Sequence, residues 1–260
     1  MRRALAVLAC LVAVCSATNA DSAYQLDAVA DSIIGVAAIG IAVPSLFIDG
    51  SSGAEKPYEV INRVDQSVMY DYSETLDDVS TAGAYMALLI PGVLVLGKIA
   101  DIGVLLTYGV MYGEAFLLTM GTKDLLKAAV SRHRPYTYLG PIPGEEQDDY
   151  FNSFPSGHTA FAFLGATFLT TTLLEEYPGA IWNVPAISLG YVLAAGIGTL
   201  RILSGSHFVT DVVTGALIGS LFGWLVPRMH SRDTNGVAVS ISQRPNGITL
   251  SISVAPFIPR

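Results

Sequence analysis

The sequence predicts an all-α protein: a bundle of about five to six apolar, membrane-crossing helices, with a short β-hairpin at the C-terminus. Three observations carry that expectation. Hydrophobic residues make up 52% of the 260 and charged residues only 14%, against roughly 25% charged in soluble domains. Nearly charge-free runs recur at 82–97, 102–120, 159–174, 185–200 and 209–226. The tail alone alternates apolar and polar residues, in VAVSISQ (237–243) and ITLSISVA (248–255). A helix apolar on every side is either deep core or lipid-facing. So many such helices leave too few polar faces to cover a soluble bundle.

The elements follow in order. Residues 1–20, MRRALAVLACLVAVCSATNA, join basic Arg2 and Arg3 to a short apolar stretch and small residues near Ala17 and Ala20. This is the pattern of a secretory signal peptide, with an uncleaved anchor as the alternative. Cys10 and Cys15 both fall inside it, so a cleaved chain has no thiol or disulfide chemistry. Its net charge of −8 becomes −10 once Arg2 and Arg3 are lost. That acidity argues against a nucleic-acid surface, which needs a basic stripe.

Residues 21–81 form an N-terminal apolar and amphipathic segment. Its apolar run, 33–48, is 16 residues long and contains Pro44; a span needs about 20, so this run is expected not to cross. In the polar stretch 49–80, Val60, Val64, Val68 and Tyr72 recur every four residues, which predicts an amphipathic surface helix.

Residues 82–229 read as the main helical bundle. Runs 82–97 and 102–120 form a helical hairpin around the link Lys98–Asp101, and the second continues through Lys123 and Lys127 to Arg132. It must stop before Pro135, since the residue preceding a proline avoids helical geometry. The loop 135–154 carries Glu145, Glu146, Asp148 and Asp149, expected only to solvate it. Helices over about 157–175, 185–200 and 209–226 complete the bundle. In the tail, 230–260, Asn246-Gly247 favours a tight turn between the two strands.

Three polar clusters sit at helix ends. Lys127 and Arg134 are seven residues apart, two turns along one helix face. In Phe154-Pro155-Ser156-Gly157-His158, Ser156 can cap a helix whose first amides, bared by Gly157, make an anion site. In RILSGSHFVTD, Arg201 ends one helix, and His207 and Asp211 are four apart at the start of the next. A carboxylate there can accept the Nδ1 proton and leave Nε2 free as nucleophile or base. Each cluster alone is also consistent with an ordinary helix end. Antiparallel helices, however, put all three on one face of an acidic chain, where cations and amides suit a phosphoryl group in transfer. Zinc is the rival reading for two histidines and an aspartate, but Lys and Arg interleaved with them would repel it.

These clusters resemble the tripartite signature of the type 2 phosphatidic acid phosphatase (PAP2) superfamily, which also holds class A acid phosphatases and vanadium haloperoxidases. Here the parts read Lys127-AAVSRH-Arg134-Pro135, Pro155-Ser156-Gly157-His158 and Arg201-ILSGS-His207-FVT-Asp211. The resemblance implies an all-helical fold and a phosphohistidine mechanism without cofactor or metal. His207 would be the nucleophile, His158 the acid and Asp211 the orienting partner, with Lys127, Arg134, Ser156, Gly157 and Arg201 binding phosphate. Leu200 stands where the family usually has serine, which removes one phosphate contact.

Within that family the apolar content points to a membrane lipid phosphatase acting on a lipid phosphate or pyrophosphate. The alternatives are a soluble periplasmic acid phosphatase and a vanadium-dependent haloperoxidase. If 33–48 crosses as well, the site falls in the cytoplasm; if the signal is cleaved and 33–48 does not cross, the expected case, Arg228, His230 and Arg232 lie inside, as positive charge prefers. The site then faces the periplasm from a bacterial inner membrane.

Overall fold

The computed structural model describes residues 22–47, 61–92, 101–141, 144, 149–232, 237–244 and 247–254. The expected signal peptide, Cys10, Cys15, Lys98, Glu145, Glu146 and Asp148 lie outside those residues.

Helix α1 spans Ala28–Ser45, where Asp27 caps the amides of Val29 and Ala30. This corrects the short run expected at 33–48. The helix starts five residues earlier, and Pro44 falls in its last turn, where little helix remains for it to disrupt. The amphipathic helix expected through Val60 and Tyr72 shrinks to α2, Arg63–Gln66. Tertiary bonds decide this: Asp65, fully buried, is tied to Arg132 and Thr210.

Helix α3, Glu74–Leu89, begins well before the apolar run at 82 and carries Glu74 and Asp77 in its first turn, where the helix dipole favours acids. Helix α4, Ile102–Val130, is capped by Asp101 and stops two residues before Arg132. Ser131 turns left-handed there, at φ 46°, and its N–H bonds the Lys127 carbonyl at 2.8 Å. Pro135–Tyr138 form a 3-10 turn. Helices α5 (Gly157–Glu176), α6 (Asn183–Leu203) and α7 (Val209–His230) follow. Strands β1 (Val237–Arg244) and β2 (Gly247–Val254) pair antiparallel, from Val237 with Val254 to Arg244 with Gly247. The chain is mostly helical.

Helix α5 is the centre of the bundle, packed against α3, α4, α6 and α7. Its approach to α7 is set by Gly215, Gly219 and Gly223, four apart and so in one line along α7. A Cβ on them would meet the carbonyl oxygens of Ser156, Ala160 and Leu164 at 2.4, 2.0 and 2.9 Å. Small residues let backbones approach in this way where packing, not water exclusion, joins helices.

Among the described residues four helical stretches are long and apolar enough to cross a membrane: Ala28–Ser45, Ile102–Tyr138, Asn183–Leu203 and Val209–His230. The expectation was five to six. The outer faces agree with a membrane-type protein, since Val184, Leu189 and Val192 of α6 and Val213, Leu217 and Trp224 of α7 are exposed.

Candidate active site

The chain reverses between successive long helices, so the end of α4, the start of α5, the end of α6 and the start of α7 meet on one face. Arg201 is 1% exposed, so its charge has to be met inside. Its NH1 lies 2.7 Å from Asp77 Oδ1 and 3.2 Å from Ser80 Oγ, both on α3. Ser206 donates to the same Asp77 oxygen at 2.5 Å. Burial alone would raise the Asp77 carboxyl, but Arg201 and the Ser206 hydroxyl hold it below its ordinary value.

Arg134 follows α4. Its NH1 donates to the Ser206 carbonyl at 3.3 Å, its Nε to the Asp149 carbonyl at 3.0 Å, and its NH2 pairs with the Asp149 carboxylate. Asp149 was expected only to solvate its loop; here it holds an arginine of the site.

Between the arginines lies the start of α5. Ser156 occupies the cap position, but its hydroxyl makes no cap bond and meets Thr159 Oγ1 at 2.9 Å. This corrects the expected capping role. The Ser156 N–H is used by the Asp211 carbonyl at 3.1 Å, which ties α5 to α7. A Cβ at Gly157 would lie 3.2 Å from Lys123 Cδ, so Lys123 covers the opening of α5. His158 meets Thr81 of α3 at 3.1 Å through Nε2.

His207 follows the turn Ser204-Gly205-Ser206, where Gly205 has φ 73° and a Cβ would lie 2.4 Å from the Tyr70 carbonyl. Its Nδ1 is 2.7 Å from the carbonyl oxygen of Ser153 and 3.7 Å from Asp211 Oδ2. A carbonyl only accepts, so Nδ1 carries the proton and Nε2 keeps its lone pair. The expected direct bond from Asp211 to His207 is therefore corrected: the backbone of Ser153 receives it. Asp211 acts one step back. Its Oδ2 accepts from Ser153 Oγ at 2.5 Å and from the Phe208 N–H at 2.9 Å, and its Oδ1 accepts from Arg132 at 2.6 Å. Arg132 also bonds Asp65 at 2.8 Å and lies 4.1 Å over the Phe208 ring.

Burial, then the charges of Arg134, Arg201 and Lys127, hold His207 well below its ordinary pKa. The same cations converge on His158, where burial first and Arg201 next push it down to about 3, with Asp77 opposing. Lys127, Arg134, Arg201, His158 and His207 are thus within electrostatic reach of one another. An uncharged imidazole with its lone pair free, ringed by cations, is suited to attack an anionic phosphorus centre.

Sequence reasoning did not single out Asp77, Ser80, Thr81, Arg132 or Ser153. Arg132 had a signal, since it lies inside the basic stretch from Lys127 to Arg134. The α3 residues had none beyond their place in a polar stretch.

Residues 108–235 match the family model described as the PAP2 superfamily. The chain is 34% identical over 107 residues to lipid A 1-phosphatase of Porphyromonas gingivalis, covering 40% of this chain and 23% of that protein. It is 29% identical to probable lipid phosphate phosphatase 4 of Arabidopsis thaliana, covering 48% of this chain and 49% of the relative. It is 27% identical to undecaprenyl-diphosphatase of Sulfolobus acidocaldarius, covering 47% and 55%. The chain therefore spans less than two thirds of the length of these relatives. Among solved structures, the transmembrane PAP2 type phosphatidylglycerolphosphate phosphatase of Bacillus subtilis is similar at 21% identity and TM-score 0.40, covering 87% of this chain and 94% of that one.

Proposed function

We propose, on the premise that residues 108–235 form a PAP2 superfamily domain, that this protein is a metal-independent phosphatase. Its substrate is a lipid phosphate or pyrophosphate, and its intermediate is a phosphohistidine. One observation carries the mechanism: His207 donates a hydrogen bond from Nδ1–H to the Ser153 carbonyl at 2.7 Å, which leaves Nε2 as an uncharged nucleophile. That lone pair attacks phosphorus, the P–O bond to the lipid breaks, and the leaving oxygen takes a proton from His158. Water then attacks the phosphohistidine and returns a proton to His158; the P–N bond breaks and Nε2 recovers its lone pair. Lys127, Arg134 and Arg201 hold the transferring oxygens together with Ser156 and the Gly157 amide. A bound phosphate offsets the cations that add to burial in depressing His158, so substrate binding favours the protonated acid. Similarity to a lipid A 1-phosphatase, a probable lipid phosphate phosphatase and an undecaprenyl-diphosphatase supports a lipid substrate, as do the apolar outer faces of α6 and α7.

The site faces the periplasm. Its support is now the charge of the opposite end of the bundle, where Arg228 and Arg232 lie and positive residues favour the inside. With α1 crossing, the start of α1 lies on that inner side too, whereas a cleaved signal would place it outside. Single cysteines at Leu139→Cys, beside the site, and Ile181→Cys, in the opposite loop, decide this after Cys10 and Cys15 are changed to serine. An impermeant thiol reagent on intact inner-membrane spheroplasts labels only the first in the proposed orientation; labelling of only the second overturns it.

Activity is tested by phosphate release from detergent-purified protein on phosphatidic acid, phosphatidylglycerol phosphate, undecaprenyl pyrophosphate, lipid A and a soluble aryl phosphate. Turnover of a lipid, lost in His207→Ala and insensitive to chelators, is expected. Turnover of the aryl phosphate alone points to an acid phosphatase. Halide oxidation dependent on added vanadate, without phosphate release, points to a haloperoxidase.

A further inference from the structure

A second polar cluster lies far from the catalytic face. Asp31 of α1, Glu114 of α4 and His230 of α7 are 9%, 6% and 3% exposed. One donor atom from each lies within 4.8 Å of the other two. His230 Nε2 is 2.9 Å from Asp31 Oδ1 and 3.3 Å from Glu114 Oε2. The neighbours of the three on their own helices, Ile34, Met111, Ala115 and Val226, are buried in one apolar cluster. Ionisable groups inside apolar helices are costly and call for a specific partner.

A proton satisfies this group poorly. His230 Nδ1 lies 2.8 Å from the Val226 carbonyl, which only accepts, so Nδ1 carries a hydrogen. Nε2 can then offer one hydrogen or one lone pair, while two carboxylates face it. Glu114 Oε2 is buried with no hydrogen-bond partner, and a single Nε2 hydrogen directed at Asp31 at 2.9 Å cannot also serve it. A divalent cation satisfies all three atoms at once. Tetrahedral ligands about 2.0–2.2 Å from zinc stand about 3.3–3.6 Å apart; the His230–Glu114 pair at 3.3 Å already has that spacing, and the His230–Asp31 pair at 2.9 Å reaches it by opening a few tenths of an ångström. A metal-bound histidine also gives its other ring N–H to a carbonyl or carboxylate, which fixes the ring. The bond to Val226 is of that kind.

We propose that Asp31, Glu114 and His230 form a structural site for a divalent transition metal of the zinc class, clamping α1 to α4 and α7. One imidazole and two carboxylates suit such an ion. Asp211 and His230 are nineteen residues apart on α7, about 28 Å at 1.5 Å per residue. The metal therefore has no part in phosphate transfer, and the site stands whatever the chemistry at His207.

The test uses detergent-purified full chain, stripped with a chelator and then exposed to zinc chloride. After desalting, elemental analysis is expected to find about one zinc per chain, and zinc to raise Tm by several degrees. Glu114→Gln is expected to lose both responses while keeping phosphate release at 25 °C. Wild type that keeps no zinc, with Tm unmoved, overturns the proposal and leaves a proton-bridged cluster. Zinc retained equally by Glu114→Gln also overturns it, by placing the ion elsewhere. Should that variant not fold, X-ray absorption on cobalt-loaded wild type decides: one imidazole with oxygen ligands supports the site, and two or more imidazoles overturn it.

Discussion

His207 Nδ1 lies 2.7 Å from the carbonyl oxygen of Ser153 and 3.7 Å from the nearer oxygen of Asp211. The nucleophile is oriented by backbone, and Asp211 orients that backbone through the Ser153 hydroxyl at 2.5 Å. Ser153→Ala removes that one bond to a carboxylate, worth about 1.5–3 kcal/mol. We expect kcat for phosphate release to fall about 10- to 100-fold with KM little changed, since the phosphate-binding cations are untouched. A change confined to KM would place Ser153 outside the orientation of His207.

Arg132 joins Asp65 at 2.8 Å and Asp211 at 2.6 Å, and both carboxylates are fully buried. Removing one partner leaves buried charge unmet, typically a loss of about 3–5 kcal/mol. Arg132→Ala is expected to lower Tm by many degrees in detergent, and Arg132→Lys by less. Lysine keeps the charge but cannot reach both carboxylates with a planar fork. Equal Tm in all three proteins would show that the network contributes nothing to stability.

Carboxylates sit on two of the cations assigned to phosphate, Asp77 on Arg201 and Asp149 on Arg134. Each competes with a phosphate for its arginine. Asp149→Asn, at the more exposed position, is expected to tighten inhibition by orthovanadate several-fold. Asp77→Asn is expected to tighten it as well, but with a fall in kcat, because Asp77 also aligns Arg201 with Ser206. Weaker inhibition in both variants would mean that the carboxylates only position the arginines.

The three clusters at Lys127–Arg134, Phe154–His158 and Arg201–Asp211 were legible because each is a local pattern at a helix end. Antiparallel packing then brings such ends together. What was not legible is whatever depends on a neighbouring helix. Thr81 against His158, and Asp77 against Arg201, come from a stretch that reads simply as polar. Asp65 holds α2 to one turn because Thr210 and Arg132 bind it, and no periodicity in residues 60–72 carries that information. The indirect way in which Asp211 reaches His207 was illegible for a related reason. Spacing of four places it near His207, but it cannot tell whether a backbone carbonyl lies closer.

Acid should loosen the site before it unfolds the rest. Both His207 and His158 have pKa values held below the ordinary 6.5 by burial and neighbouring cations. In the unfolded chain they take up protons near pH 6.5, while in the folded chain they resist. The unfolded state therefore binds more protons below that pH, and stability falls as pH falls. The contribution of these two histidines to Tm is expected to decline from pH 7.5 to pH 5, so that wild type loses more Tm, or gains less, over that range than His158→Gln. Asp77, held below its ordinary value mainly against burial by Arg201, adds its loss only at lower pH, as its carboxylate is protonated. A pH slope of Tm identical in wild type and His158→Gln would contradict a neutral His158 in the folded site.

The line of glycines on α7 sets how closely the two halves of the site approach. A Cβ at Gly219 would lie 2.0 Å from the Ala160 carbonyl and 2.8 Å from the Leu164 N. These are backbone atoms of α5, so the contact is relieved only by moving one helix away from the other. Because the Ser156 N–H bonds the Asp211 carbonyl at 3.1 Å, separating the helices also separates His158 from His207. Gly219→Ala is therefore expected to lower Tm and to cost activity even where the protein still folds. Gly196→Ala is the control, since a Cβ there meets nothing within 4 Å and alanine favours a helix over glycine by about 1 kcal/mol. Its Tm should be unchanged or slightly higher. If Gly219→Ala matched that control in both Tm and turnover, close packing of α5 on α7 would not be what aligns the two histidines.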